Sequence, residues 1–157
     1  MRSVRSFAAV LGLLGVCLGA VASPASAAVP LPDPAAQARK VCGSGYHLLE
    51  RHTFIENRAA AATTFLTYNK ARSTACVVTL RQSATPQYGD RAYMGSYVEP
   101  VGSVLVRNAG YFRSYAGPTR AHLADGCVRW GGQYRSQTWN GQTPAKPEAK
   151  MSCPATH

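Results

Sequence analysis

The segment from Tyr111 to Gly132, YFRSYAGPTRAHLADGCVRWGG, constrains the fold more than any other stretch of its length in this chain. Its residues alternate in character on both sides of Gly117-Pro118, and Asp125-Gly126 has the form of a dipeptide that reverses a chain between two strands. The pattern predicts a β-meander. In it Tyr111, Arg113 and Tyr115 share one face, with Phe112, Ser114 and Ala116 on the other. Past the Gly117-Pro118 bend, Thr119, Ala121 and Leu123 oppose Arg120 and His122, and Cys127 and Arg129 alternate with Val128 and Trp130. Nothing in the segment forms a recognisable catalytic set, so it reads as structure.

The same reading extends upstream. Cys42-Gly43-Ser44-Gly45 is a tight, glycine-rich start to the folded region, and its Gly-Ser-Gly lacks the glycine spacing of a nucleophile elbow. Tyr46 to Ile55 is ambiguous by period, because Leu48, His52, Ile55, Ala59 and Ala62 also fit one helical face. The β-branched and aromatic run Thr63 to Tyr68 favours a strand, giving strand, loop, strand. After a polar break at Asn69 to Thr74, Ala75 to Arg81 places Cys76, Val78 and Leu80 opposite Val77, Thr79 and Arg81, and the two runs make a hairpin. Gln82 to Asp90 reads as a surface loop and Arg91 to Val101 as a strand. Ser103 to Arg107 is a short strand between turns at Pro100-Val101-Gly102 and Asn108-Ala109-Gly110. Gly131-Gly132 marks a further turn, Gln133 to Trp139 a return, and the tail from Asn140, with Pro144, Pro147 and Pro154, a loop. About eight short strands separated by regular turns predict an all-β fold, a small disulfide-stabilised antiparallel β-sandwich or barrel.

The disulfides follow from the compartment. Arg2 and Arg5, the apolar run Phe7 to Ala22, and Ala25-Ser26-Ala27 form a secretory signal with cleavage expected after Ala27. The apolar run is shorter than the ~20 residues of a spanning helix, and no transmembrane segment is expected in the mature chain. Cys17 leaves with the signal. The expected organisation is a signal peptide over 1–27, a Pro-rich arm over 28–41 with a helical turn at its end, and a single β-domain over 42–157 with a loop-rich tail. Cys42, Cys76, Cys127 and Cys153 remain, an even number in an exported chain. Of the three possible pairings, Cys42 with Cys76 and Cys127 with Cys153 is favoured, since each then clamps a terminal segment onto a strand. No CxxC-type spacing supports a metal site, and no cofactor is implied.

The chain carries 17 basic and 7 acidic residues, a formal net charge of +10 of which Arg2 and Arg5 supply two. An exported basic surface meets anionic cell-wall polymer or polysaccharide through a field that salt screens. The cations are dispersed singly, so no specific nucleic-acid site is evident. Tyr93, Tyr97, Tyr111 and Tyr115, with Trp130 and Trp139, offer an aromatic platform interleaved by Arg91, Arg113 and Arg129, of which Trp130 is assigned to the core. The expected binding residues are therefore Tyr93, Tyr97, Tyr111, Arg113, Tyr115 and Arg129.

Several of these stretches carry a resemblance. Cys42-Gly43-Ser44-Gly45-Tyr46, Leu66-Thr67-Tyr68-Asn69 with Ala75-Cys76-Val77-Val78-Thr79, and Tyr115-Ala116-Gly117-Pro118 followed by Gly126-Cys127-Val128-Arg129-Trp130-Gly131-Gly132 resemble the spore-associated protein A family, small exported proteins of filamentous actinobacteria. The residues around Ala59 to Ala62 and the tail after Gly132 depart from the pattern. The resemblance implies secretion, association with aerial hyphae or the spore surface, no established enzymatic activity and no catalytic residues. It also favours the β reading of Tyr46 to Thr67.

Catalysis finds no footing in the residues themselves. His47, His52, His122 and His157 sit in no local signature, His122 and Asp125 read as a surface pair, and the scattered carboxylates lack the paired arrangement of a glycosidase. The reading is a non-enzymatic protein that coats or binds the cell surface. The alternatives are a secreted inhibitor or toxin-like effector presenting the loop Gln82 to Asp90 to a protein partner, and a small hydrolase of unrecognised type.

Overall fold

The computed structural model describes residues 33–85, 88–123, 126–144 and 153, all within one compact unit, Leu31–His157. The expected signal peptide with Cys17, the first residues of the arm, Pro86, Asp125 of the expected turn, Pro147, Pro154 and His157 lie outside the described residues. One helix precedes eight strands: α1 (Pro34–Cys42), β1 (His47–Glu56), β2 (Ala59–Asn69), β3 (Thr74–Arg81), β4 (Ala92–Pro100), β5 (Val106–Phe112), β6 (Tyr115–His122), β7 (Cys127–Tyr134) and β8 (Gln137–Pro144). The strands form two antiparallel sheets of four, sheet A in the order β1-β2-β3-β6 and sheet B in the order β5-β4-β7-β8. Of the expected disulfide-stabilised antiparallel sandwich or barrel, the fold is the sandwich, with α1 added outside sheet A.

The hairpin β2–β3 is buried on both faces. Toward α1, Phe65, Cys76, Val78 and Leu80 pack with Ala35, Ala38, Cys42 and Tyr46. Toward sheet B, Leu66, Tyr68, Ala75 and Val77 pack with Val98, Val128 and Trp130. A strand covered on both sides needs apolar residues at successive positions, which is why Ala75 to Leu80 is nearly continuous in its hydrophobicity. Trp130 is fully buried, as assigned, and its indole N–H donates to Thr143 Oγ1 at 2.9 Å. The Thr143 hydroxyl in turn donates to Glu50 at 2.8 Å, tying β8 to β1. His52 on β1 stacks parallel to Trp139 on β8, ring centroids 4.3 Å apart, and burial holds its imidazole below the ordinary range.

Small residues let the sheets approach. Ser96 and Thr119 hydrogen-bond across the gap at 2.6 Å, and Thr79 donates to the Gly95 carbonyl at 2.7 Å. A Cβ on Gly132 would stand 2.6 Å from Thr79 Oγ1 and 2.8 Å from Thr64 Cβ. The buried Arg81 reaches the carbonyls of Asp90 and Arg113, fastening two inter-strand loops to one end of the sandwich.

Both disulfides have the favoured pairing, Cys42–Cys76 and Cys127–Cys153. The first anchors a helix with strong local signals. Asp33 caps it by accepting from the Ala35 N–H at 3.0 Å, Pro34 occupies its first turn, and the Gly43 N–H donates to Arg39 at its end. The helix buries Ala35 and Ala38, so the folded domain begins before Cys42, inside the stretch read as an arm.

Several local readings are corrected. Tyr111 to Gly132 is not a meander, because β6 joins sheet A while β5 and β7 belong to sheet B. Gly117-Pro118 is no bend between strands but lies within β6, where the register against β3 shifts opposite Val78. Proline is tolerated there because β6 is an edge strand and the bulge removes the need for its N–H. Ala59 to Ala62, read as loop, extends β2. A two-residue turn at Asn57 and Arg58, with φ of 52° and 64°, joins it directly to β1. Asn108-Ala109-Gly110 and Gly131-Gly132, read as turns, run through the middle of β5 and β7, and Asn140 to Pro144, read as loop, completes β8. Glycine in these strands serves close approach instead of chain reversal.

Replacing both Cys42 and Cys76 with serine opens a loop of sequence separation 34 and is expected to lower stability by about 3–4 kcal/mol in denaturant titration. Gly132→Ala forces the sheets apart at Thr64 and Thr79 and lowers stability by about 2–3 kcal/mol, read in the same way.

Candidate functional site

The outward face of sheet B is the one face of the sandwich that neither α1 nor the second sheet covers among the described residues. On β4, Met94, Ser96 and Val98 point into the core, so alternation sends Tyr93, Gly95, Tyr97 and Glu99 outward. Register supplies their neighbours. Tyr93 stands beside Tyr111, Gly95 between Ala109 and Gln133, Tyr97 between Arg107 and Gly131, and Glu99 beside Arg129. One strand further, Thr138, Asn140 and Gln142 on β8 face Gln133, Gly131 and Arg129.

Glycine shapes the middle of this face into a trough of about 600 Å³, bordered by Tyr97, Leu105, Arg107, Arg129, Gln133 and Asn140. Tyr97 reaches across β7 over Gly131, where any Cβ would collide with its hydroxyl, and donates to the Trp139 carbonyl on β8 at 2.5 Å. The ring is thereby held along the sheet. Burial pushes its phenol up to about 12, against a smaller downward pull from the Arg107 guanidinium, so the ring stays neutral at physiological pH.

The cations differ in their freedom. Arg129 is paired with Glu99 within the trough, whereas Arg107 has no carboxylate partner among the described residues and only a long contact, 3.4 Å, to the Tyr93 hydroxyl. Tyr93 and Tyr111 meet edge to face at 5.4 Å, making an aromatic pair at one end, and Tyr111 is 67% exposed. The trough therefore offers ring surface, side-chain amides, a threonine hydroxyl and one uncommitted positive charge. Among the described residues no three of His, Cys, Asp and Glu stand together in a way that would hold a metal.

Four of the six expected binding residues, Tyr93, Tyr97, Tyr111 and Arg129, come together on this face. Arg113 and Tyr115 do not. The chain bends at Arg113 and Ser114 and passes from sheet B to sheet A, which destroys the face shared in a continuous strand. Arg113 donates to the Gly89 carbonyl at 2.9 Å. Tyr115 instead borders a shallow depression beside α1 with Lys40, Val41 and Tyr88. Arg91 lies just before β4 and is exposed away from the trough lining. Sequence reasoning missed Arg107, Gln133, Thr138 and Asn140. Arg107 is in phase with Tyr111, and the signal was hidden because Asn108-Ala109-Gly110 reads as a turn between them.

A phenol raised from 10.0 to about 12 makes the folded state bind more protons than the unfolded state between those values, so this group's contribution to stability is lost as pH rises through that window. Ultraviolet titration of the native protein is expected to show a phenolate step near 12 that Tyr97→Phe removes.

The chain is 33% identical over 142 residues to spore-associated protein A of Streptomyces coelicolor, an alignment that covers 89% of this chain and 86% of that protein. No protein-family model and no solved structure matches it. Identity at this level along nearly the whole of both chains is decisive for kinship: the chain belongs to the spore-associated protein A family.

Proposed function

We propose that this protein is secreted to the spore or cell surface and binds anionic, hydroxyl-rich envelope polymer noncovalently on the outer face of sheet B. Family membership supports the location, since spore association is what the name of the Streptomyces coelicolor relative states of that protein. The trough supports the chemistry, and the observation that carries it is the uncommitted Arg107 beside the flat, glycine-floored Tyr97 platform. Aromatic faces take the C–H surface of sugar rings, Gln133, Asn140 and Thr138 exchange hydrogen bonds with hydroxyls, and a guanidinium receives a carboxylate or phosphate in two-pronged fashion. The excess of basic over acidic residues draws polyanion to the surface before any specific contact forms. No covalent step is needed for such a role, and enzymatic chemistry forms no part of this reading.

Cosedimentation of the purified protein with cell-wall or spore-surface polymer tests it. Binding is expected at low ionic strength and to weaken as salt rises, because screening acts on exposed charges. Arg107→Ala is expected to weaken binding about tenfold, consistent with loss of one charge-assisted contact, while Arg91→Ala, off the trough, has a smaller effect. Absence of binding at low ionic strength would overturn the proposal.

A further inference from the structure

The four edge strands of the sandwich differ in how they are protected. An exposed edge presents unpaired N–H and C=O groups, and proteins blunt it with bulges, proline, charge or covering side chains. β1 carries two register irregularities, and β6 carries Pro118 with a bulge. β8 is covered by β1, through the His52–Trp139 stack, the Thr143–Glu50 hydrogen bond and a bond from Gln137 to the Ile55 carbonyl. β5 is guarded less: the Gly117 N–H of β6 donates to its Asn108 side chain at 3.1 Å, and Arg107 is the one cation it carries. Its register with β4 is unbroken from Val106 to Phe112, it contains no proline, and among the described residues no strand pairs with its other side.

The direction of its free groups follows from the ladder. Arg135 donates to the Tyr93 carbonyl and the Val101 N–H to Cys127, so odd-numbered residues of β4 turn their backbone toward β7 and even-numbered ones toward β5. The residues opposite the even set are Val106, Asn108, Gly110 and Phe112. Arg107, Ala109 and Tyr111 consequently direct their N–H and C=O groups away from the sheet. Exposed apolar side chains gather at the same edge: Val104 is 79% exposed, Leu105 48%, Val106 40% and Tyr111 67%.

We propose that β5 pairs antiparallel with β5 of a second copy about a two-fold axis at Ala109, joining two sheets B into one sheet of eight strands. The segment complements itself in this register. Ala109 meets its own counterpart, Arg107 lies opposite Tyr111 on the outer face, and Val106 lies opposite Phe112 on the inner face. Val104 and Leu105 continue alongside the far end of the second β5, removing apolar surface from water. All three outward-facing residues become hydrogen-bonded pairs, as an isologous interface requires. The two-fold keeps both outer faces on one side of the joined sheet. This inference does not rest on polymer binding, although a dimer would present two troughs side by side.

Sedimentation of the purified protein over a range of concentrations is expected to show a reversible monomer–dimer equilibrium. Ala109→Pro removes a donor that points away from β4, so the native ladder survives while the dimer dissociation constant rises tenfold or more; near-ultraviolet circular dichroism from Trp130 and Trp139 monitors the fold. Tyr111→Lys, which sets two cations opposite each other twice per interface, is expected to weaken the dimer similarly, and adding Arg107→Glu to it restores association. The charge pair tests the interface even where Ala109→Pro perturbs folding. A protein that stays monomeric at every accessible concentration, or a dimer that Tyr111→Lys leaves unchanged, would overturn the proposal.

Discussion

The double burial of the β2–β3 hairpin is the contact on which the remaining architecture depends. Its inner face packs against Val98, Val128 and Trp130 of sheet B, and its outer face against α1. A helix of nine residues is too short to persist alone in water. Burial of Ala35 and Ala38, the bond from Cys42 to Cys76, and donation from Arg120 to the Cys42 carbonyl at the helix end hold it there. The covalent link and the apolar contact reinforce one another. Fixing Cys42 at Cys76 lowers the entropy lost in docking the helix, and the docked helix shields the strand surface around the disulfide.

Covering the β2–β3 hairpin of sheet A on both sides leaves sheet B with a different task. Its inner face completes the core, and its outer face is free to carry polar and aromatic residues. The tyrosines of β4 therefore do not contribute a second hydrophobic layer, and two glycines, Gly95 between them and Gly131 beside Tyr97 on β7, keep the floor flat. Gly131 serves this face by admitting Tyr97, whereas its neighbour Gly132 serves the interior by admitting Thr64 and Thr79. Adjacent glycines in one strand thus have opposite destinations, because successive strand residues point to opposite faces. The same alternation separates the structural half of β5 from its free edge.

Much of the local pattern was legible in the chain. The strands β3 and β4, the faces of Cys76, Val78 and Leu80 and the buried place of Trp130 all emerge from alternation and composition, since each depends on short-range periodicity or on residue type, while the cysteine pairing was one preference among three that the fold then selected. Other features escaped for identifiable reasons. Ala59 to Ala62 favours helix by propensity, yet it extends β2, and its buried residues Ala61 and Ala62 pack in one cluster with Phe54, Met94 and Tyr134. Asn108-Ala109-Gly110 and Gly131-Gly132 have turn composition, but neighbouring strands impose extension and use the missing side chains for close contact. Arg107 was concealed by the first of these misreadings.

The sequence by itself determined a disulfide-stapled all-β domain of basic character, sandwich or barrel, because a period of two, an even set of cysteines and an excess of arginine require no knowledge of distant contacts. Only the tertiary structure decided that β5, β6 and β7 alternate between sheets, and with that which tyrosines share a surface. Tyr111 and Tyr115 are four positions apart, in phase on any continuous strand, but the bend at Arg113 and Ser114 sends one to sheet B and the other to sheet A. Strand periodicity assigns faces within a sheet; which sheet a strand joins is set by long-range pairing and burial, and that choice decided where the candidate site lies.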